Sequence, residues 1–385
     1  MLTLLLSALA GALTAWLGFA PVGWWWFPYL GFAALAALIA RAPTVRRGAL
    51  LGFAFGLAYF LAGVSWVRVS MNEFGGMPLP LAWFSAFLFC AFLALYPALA
   101  AGFTAWAVGR RPSVGASSLA LGPAGEASTG SAMASMPPQR EQARAYHPVW
   151  FAFVFASAWT FAEYLRAHLF TGFEWLSVGA TSASEGLHSM PLSIFGVFGA
   201  TFTVVIVATF TGVLFSMGKK PVTSATQTTP ASADTDDDSL RGHVKLQALV
   251  AGGVFLLSIV PSPDWGSASG KPIKVSLLQG NVPQSMKWEP EKFVQTLQLY
   301  EKLVSQAKGE LIILPETALP APLSRIPPEY IEKLRGIAFS KNANLLIGVP
   351  VEESGKYFNA VVSMGVEDAQ QYRKVHLVPF GEYMP

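Results

Sequence analysis

Two charged residues near the end of this chain lie at or after predicted strands and could act together in catalysis. Glu316 follows the apolar run 311–314, and Lys374 lies within the later run 371–377. At the ends of neighbouring strands, a carboxylate can move a proton and a lysine can stabilise a developing oxyanion. With a thiol nucleophile, they would form a Glu-Lys-Cys site for acyl transfer. The single cysteine, Cys90, lies in a long apolar segment, so we interpret it as a packing residue.

Each of these residues also has a structural interpretation. A carboxylate after a strand is often a helix cap or a surface charge, and a lysine near a sheet edge is often solvated. Strand alternation would place His376 on the same face as Lys374, but we interpret His376 as structural.

The elements around Glu316 and Lys374 predict an α/β domain. The segment 290–308 is an amphipathic helix, with Phe293, Leu297, Tyr300 and Val304 on one face. A second helix is predicted at 328–341, and the predicted strands are 273–278 (buried), 311–314, 345–349, 359–364 and 371–377. This β-α-β-α-β order followed by hairpin-like strands is typical of a layered α/β domain.

The composition indicates a membrane protein. Hydrophobic residues make up 53% of the 385 residues and charged residues only 13%, whereas soluble domains carry about 25% charged residues. A net charge of +3 without basic-aromatic clusters gives no support for nucleic acid binding. One cysteine and five scattered histidines exclude an internal disulfide framework and give little support for a metal site.

Seven apolar segments are long enough to be read as membrane spans, which need about 20 residues. They are 2–20, 24–41, 48–68, 80–108, 148–168, 191–217 and 245–262. The first lacks a basic n-region and a cleavage site before a polar segment, so we predict a retained helix. Two loops between these segments, at about 112–146 and 218–243, have low-complexity sequences and are predicted to be disordered.

The basic residues predict the topology of these spans. Eleven lie in one alternate set of loops and two, Arg68 and Arg166, in the other. The eleven are Arg41, Arg46, Arg47, Arg110, Arg111, Arg140, Arg144, Lys219, Lys220, Arg241 and Lys245. The positive-inside rule therefore predicts a cytoplasmic N-terminus, and seven crossings place everything after Pro261 outside the cytoplasm. Glu163 and Arg166, three residues apart on one span, are expected to pair with each other.

Several motifs together resemble one family. In the second half they are Gln279-Gly280-Asn281, Lys287-Trp288, Leu314-Pro315-Glu316-Thr317-Ala318 and the run from Tyr372 to Tyr383 that contains Lys374 and Glu382. In the first half they are Leu17-Gly18-Phe19-Ala20-Pro21, Trp159-Thr160-Phe161-Ala162-Glu163 with Arg166, and Thr171-Gly172-Phe173 with Trp175. The chain thus resembles the bacterial apolipoprotein N-acyltransferases, the membrane branch of the nitrilase superfamily. Glu174 departs from the pattern, where the family run has proline.

The resemblance implies a polytopic helical membrane domain at 1–265 and a nitrilase-like αββα domain at 271–385, of which only the first part is present. It implies transfer of an acyl chain from a phospholipid to the N-terminal S-diacylglyceryl-cysteine of apolipoproteins, by a ping-pong reaction through a thioester. Glu316, Lys374 and Glu382 are the implied catalytic residues, with Glu316 the base in a partly apolar site, and Trp288 belongs to a mobile loop at the lipid-facing entrance. The nucleophilic cysteine is expected after Glu382, beyond this chain, so the 385 residues alone are expected to be inactive.

The resemblance further implies a monomer without metal or organic cofactor. It implies a multi-pass location in the bacterial inner membrane, with the nitrilase-like domain in the periplasm. Three alternatives stay open. A membrane-tethered nitrilase or amidase would share Glu316 and Lys374, but it gives no reason for seven helices. A transporter would show internal repeats and mid-membrane charges, which we do not find. The third alternative is a catalytically dead membrane scaffold.

Overall fold

The computed structural model describes residues 1–109, 148–182, 187–217, 249–263, 265–283 and 287–377. These residues form two compact units, a helical one up to Trp265 and one with a β-sheet from Gly266 to Leu377. The predicted disordered loops at about 112–146 and 218–243 lie outside the described residues, as does Glu382. The two units correspond to the predicted membrane and α/β domains, so the predicted fold class is confirmed.

The helical unit is built from nine described helices. They are α1 (Leu2–Gly18), α2 (Phe27–Ala40), α3 (Val45–Val64), α4 (Val67–Val69), α5 (Leu79–Leu93), α6 (Leu95–Gly109), α7 (Pro148–His168), α8 (Ser189–Met217) and α9 (Leu249–Ser258). The predicted span 80–108 is two helices that meet at Ala94. Pro97 explains this break, because proline has no N–H to donate to the carbonyl of Leu93.

The helices pack closely where small residues meet a neighbouring backbone. α1 packs on α3, α3 on α6, and α2 and α7 on α8. At Gly11 of α1, a Cβ atom would lie 2.1 Å from the carbonyl oxygen of Phe55, so only glycine permits this approach. Phe32, Phe55 and Trp159 form the centre of the core, with the ring centroids of Phe32 and Trp159 4.6 Å apart. Small residues at helix contacts and aromatic side chains between helices are typical of membrane bundles.

Three helical stretches in the described part of the chain are long and apolar enough to cross a membrane. They are Val45–Val64, Leu79–Gly109 and Ser189–Val213. α1, α2 and α9 are apolar but shorter, and α7 carries Glu163 and Arg166. The seven-span topology therefore stays a prediction.

The second unit is a five-stranded mixed sheet in the order β1-β2-β3-β4-β5. Its strands are β1 (Val275–Leu277), β2 (Leu311–Ile313), β3 (Asn344–Glu353), β4 (Lys356–Gly365) and β5 (Gln371–Arg373). β1, β2 and β3 are parallel, with α10 (Pro290–Gln306) and α11 (Pro328–Ser340) as crossovers; β3, β4 and β5 are antiparallel. Ser354 and Gly355 both have positive φ and form the tight β3–β4 turn.

The core of this unit lies between α10, α11 and one face of the sheet. Leu297, Tyr300 and Val304 of α10 are buried, which confirms the predicted amphipathic face. Two predictions were wrong. β1 is not a buried strand, because Val275 and Leu277 are at least half exposed at the sheet edge. β5 ends at Arg373, so Lys374 and His376 follow the strand and do not share a strand face.

Candidate active site

Glu316 lies in a sharp turn directly after β2. Thr317 has a φ of 47°, and the turn is tied to β3 by a hydrogen bond from the Ala318 N–H to the Gly348 carbonyl oxygen, 2.7 Å long. A Cβ atom on Gly348 would lie 2.2 Å from the Pro315 carbonyl oxygen. Glycine at 348 therefore lets the turn that carries Glu316 lie against the middle of the sheet.

Lys374 follows β5 and is held beside Asn359 of β4. The Lys374 N–H donates to the Asn359 carbonyl oxygen over 2.8 Å, which continues the β4–β5 pairing by one residue. Backbone pairing of β4 and β5 thus positions the side chains of Lys374 and Asn359 on the same part of the sheet as the turn that carries Glu316.

The structure brings the side chains of Glu316 and Lys374 together. The Lys374 Nζ lies 3.3 Å from Glu316 Oε1, and Asn359 Nδ2 also donates a hydrogen bond to Oε1. These three residues line a cleft of about 220 Å³, together with Ala360, Val361 and Tyr372. A carboxylate, an ammonium group and an amide that meet in an open cleft provide a base, a positive charge and a hydrogen bond donor for one reacting group.

The cleft around Glu316 is partly apolar, since Ala360, Val361 and Tyr372 line it, but the carboxylate itself is open to solvent. The Glu316 side chain is 60% exposed and that of Lys374 33% exposed. In the described part of the chain, the groups that bind the Glu316 carboxylate are the Lys374 ammonium and the Asn359 amide.

Lys287 also contacts the turn that carries Glu316. Its Nζ donates to the backbone carbonyl oxygen of Glu316 over 3.2 Å. Burial lowers the pKa of Lys287, and the negative charge of Glu316 offsets part of that effect. The adjacent Trp288 is 56% exposed, and its predicted role at a lipid-facing entrance stays a prediction.

The predictions for Glu382 and Cys90 have different outcomes. Glu382 lies outside the described residues, so its predicted catalytic role stays a prediction. Cys90 is fully buried in α5 of the helical unit, in agreement with a packing role.

The sequence did not indicate Asn359 or Lys287 as site residues. Asn359 stands in a strand of otherwise mainly apolar residues, where asparagine is disfavoured; this is the one signal that could have identified it. Lys287 belongs to a motif quoted for the resemblance, but nothing in its spacing from Glu316 predicts a contact with the carbonyl of that residue.

The helical unit holds a second set of charged side chains, which are buried. Glu163 and Arg166 are 5% and 3% exposed. Contrary to expectation, they form no direct ion pair among the described residues. Glu163 accepts hydrogen bonds from Trp159 Nε1, the Val178 N–H and Thr201 Oγ1, and Arg166 Nη1 donates to the carbonyl oxygens of Phe173 and Trp175. Backbone groups of the following loop satisfy Arg166, and one such group together with two side chains satisfies Glu163, because a buried charge without partners is strongly unfavourable.

Comparison with known proteins places both units in one family. Residues 10–210 match the family described as the apolipoprotein N-acyltransferase N-terminal domain, and residues 274–385 match carbon-nitrogen hydrolase. The chain is 32% identical to an apolipoprotein N-acyltransferase of Nitrosomonas europaea over 99% of its length, covering 65% of that protein. It is 34% identical to the one of Ralstonia nicotianae over 99% of its length, covering 62% of that protein. The chain thus spans slightly less than two thirds of the relatives it matches. Since one match covers more than half of the chain and the relatives align along nearly all of it, the chain belongs to the apolipoprotein N-acyltransferase family.

Proposed function

We propose that the protein transfers an acyl chain from a phospholipid to the α-amine of the S-diacylglyceryl-cysteine of apolipoproteins, the last step of lipoprotein maturation. The contact of Glu316 with Lys374 and Asn359 in a domain of the carbon-nitrogen hydrolase type carries this proposal. The relatives are apolipoprotein N-acyltransferases by name, which supports the same reaction.

In the first half-reaction, a thiol attacks the ester carbonyl of the phospholipid. Glu316 takes the thiol proton, because a neutral thiol does not attack an ester efficiently. The carbonyl oxygen becomes an oxyanion, which Lys374 stabilises with its positive charge. The carbon–oxygen bond to the lysophospholipid then breaks, Glu316 returns the proton to the leaving oxygen, and a thioester remains.

In the second half-reaction, the neutral α-amine of the acceptor attacks the thioester. Lys374 again stabilises the oxyanion. A carbon–nitrogen bond forms and the carbon–sulfur bond breaks, while Glu316 moves the proton from the amine to the thiolate. Two easier steps thereby replace one difficult transfer, and the positively charged lysine serves both.

The thiol itself is not Cys90, since Cys90 is fully buried in α5. We propose that the thiol belongs to a cysteine of the whole protein. This cysteine would lie in the region that corresponds to the part of the longer relatives not covered by these 385 residues. Glu382 and Trp288 keep their proposed roles, as a second required carboxylate and as a side chain at the lipid entrance. We further propose a monomer in the bacterial inner membrane, with a cytoplasmic N-terminus and the sheet unit in the periplasm; the charge asymmetry of the loops supports this orientation.

The test is an acyl-transfer assay with the protein as its gene encodes it, purified in detergent. It is mixed with a phospholipid and a synthetic peptide that begins with S-diacylglyceryl-cysteine, and the peptide mass is followed. We expect a gain of one acyl chain with wild type and almost none with Glu316→Gln. Lys333 and Glu301 form an exposed ion pair, 2.6 Å long, elsewhere in the unit; Glu301→Gln is therefore a matched control and should stay active. Equal activity of Glu316→Gln and wild type would contradict the proposal.

A membrane-tethered amidase is a second candidate, because residues 274–385 match carbon-nitrogen hydrolase as such. The two functions differ in the acceptor of the acyl group, an amine or water. The same assay with a simple fatty amide added separates them, since an amidase would release free acid from that amide and leave the peptide mass unchanged.

A further inference from the structure

Lys287 binds the main chain of Glu316, the residue proposed as the base. Its Nζ donates a hydrogen bond to the Glu316 carbonyl oxygen over 3.2 Å. In the described part of the chain, no backbone N–H donates to this carbonyl oxygen, whereas the N–H groups of Leu314 and Ala318 on either side are bound to carbonyl oxygens of β3. Because backbone carbonyl groups require a partner, the lysine takes the place of the hydrogen bond that a strand or a helix would provide.

The peptide bond that Lys287 contacts is the one that precedes the strained residue of the turn. Thr317 has a φ of 47°, in the left-handed region, which is a rare conformation for a β-branched residue. Such a conformation persists only where surrounding contacts fix it. The hydrogen bond from the Ala318 N–H to the Gly348 carbonyl oxygen, 2.7 Å long, fixes the turn after Thr317. The Lys287 ammonium fixes it before Thr317, so the two contacts enclose the strained residue.

Lys287 is itself attached to a well-packed part of the sheet unit. It is half-buried and lies in the turn directly before α10, which begins at Pro290. The core residues of α10 include Tyr300, which also packs on the segment after β1, since a Cβ atom on Gly280 would lie 2.7 Å from Tyr300 Oη. The main chain of Lys287 is therefore anchored to the core through α10.

Two lysines bind Glu316 at different groups. Lys374 Nζ lies 3.3 Å from the carboxylate, where the reaction takes place, whereas Lys287 binds the main chain. Burial lowers the pKa of Lys287, and the negative charge of Glu316 favours the charged form of the lysine. The ammonium of Lys287 and the carboxylate of Glu316 therefore attract each other, which strengthens the contact with the turn.

We propose that Lys287 is a positioning residue for the acyl transfer, which holds the backbone of Glu316 so that its carboxylate stays beside Lys374 and Asn359 in the cleft. As a statement about catalysis, the inference rests on the proposed function. As a statement about the conformation of the turn, it does not.

Steady-state acyl transfer to the diacylglyceryl-cysteine peptide, with the protein as its gene encodes it, tests the role in catalysis. Lys287→Met keeps the length of the side chain and removes the ammonium. The value of kcat should fall about 10- to 100-fold with a nearly unchanged KM, because misplacement of a group by about 1 Å costs up to about 10²-fold. Lys287→Arg still has donors for the carbonyl oxygen and should recover most of the lost rate.

Lys341 provides a matched control. Its Nζ also donates to a main-chain carbonyl oxygen, that of Ala307, over 3.0 Å, but at the end of the sheet where β2 and β3 begin. Lys341→Met should therefore keep the wild-type kcat. The proposal is overturned if Lys287→Met keeps the wild-type kcat, if Lys341→Met loses as much, or if Lys287→Met changes KM alone.

Hydrogen exchange of the same variants, measured by mass spectrometry, reports on the turn without turnover. Peptides that contain Ala318 should exchange about tenfold faster in Lys287→Met, as expected for loss of one hydrogen bond from a charged group. The same peptides should exchange at the wild-type rate in Lys341→Met. Unchanged exchange in Lys287→Met would overturn the inference. A wild type that transfers no acyl chain, with faster exchange in Lys287→Met, would contradict the proposed function and leave the role of Lys287 in the turn intact.

Discussion

The two units use charged side chains in opposite ways. In the helical unit, Glu163 and Arg166 are buried, and hydrogen bonds with helix side chains and with a neighbouring loop satisfy them. In the sheet unit, Glu316 and Lys374 are partly exposed and contact each other across an open cleft. A saturated buried charge is suited to hold structure, because removal of one partner leaves the others unsatisfied. A carboxylate in an open cleft remains accessible to a reacting group. The difference predicts that changes in the first set reduce stability and changes in the second set reduce activity.

The largest effect is expected for Glu316→Gln. The amide can still accept from Asn359 and Lys374 but cannot take up a proton. The rate of acyl transfer should fall by about 10²- to 10⁴-fold, the usual contribution of a general base. Peptide acylation measured by mass spectrometry checks this, and an unchanged unfolding temperature should accompany the loss. A loss of activity that merely follows a loss of folded protein would contradict the comparison.

Arg166→Met should affect stability instead. It leaves the carbonyl oxygens of Phe173 and Trp175 without their donor, and Glu163 without a nearby positive charge. Breaking a buried charged network costs about 3–5 kcal/mol. Thermal unfolding in detergent, followed by tryptophan fluorescence, measures the shift, and Arg166→Lys should restore part of it. Unfolding at the wild-type temperature would show that the loop does not depend on these hydrogen bonds.

Lys374→Met keeps the length of the side chain and removes its charge. Loss of one donor to an oxyanion lowers kcat by about 10²- to 10³-fold. Since the lysine serves both half-reactions, formation of the acyl-enzyme and transfer to the peptide should slow together. Lys333→Met is the matched control and should retain wild-type rates. An effect confined to one half-reaction would restrict the lysine to that step.

Asn359→Ala should have a smaller effect, because Lys374 still contacts Glu316. Removal of a hydrogen bond to a charged group costs about 1.5–3 kcal/mol, and partial exposure of Glu316 reduces this. We expect about a tenfold lower kcat with a nearly unchanged KM. A larger change in KM than in kcat would assign Asn359 to substrate binding rather than to positioning of the base.

The smallest effect is expected for the exposed pair Lys333–Glu301. Its side chains are 58% and 30% exposed, and exposed ion pairs contribute about 0–1 kcal/mol. The unfolding temperatures of Glu301→Gln and wild type should therefore nearly coincide, in contrast to Arg166→Met.

The order of the elements could be predicted from the sequence because their patterns are strong. The apolar face of α10 and the short apolar runs of β2 and β3 indicate a helix and buried strands by local periodicity alone. The meeting of Glu316 and Lys374 also followed, since both lie at the ends of strands in one sheet. The exposure of β1 could not be predicted from the sequence, because it depends on which elements cover the sheet.

Long-range contacts of single residues escaped prediction. The amide of Asn359 lies beside Glu316 only through the register of β4 and β5, which no local pattern specifies. Likewise, the spacing of Glu163 and Arg166 on one helix predicts a pair, whereas Arg166 donates to a loop and Glu163 accepts from that loop, from Thr201 and from Trp159. The positive φ of Thr317 has no signal in its residue type.

The central claim is that Glu316 activates the thiol by taking its proton. The most direct measurement is the rate of acyl-enzyme formation, followed by intact mass of the protein after mixing with phospholipid and without acceptor. We predict that wild type gains the mass of one acyl chain, whereas Glu316→Gln, folded to the same extent, gains it at least about 100-fold more slowly. Formation of the acyl-enzyme at the wild-type rate in Glu316→Gln would contradict the claim.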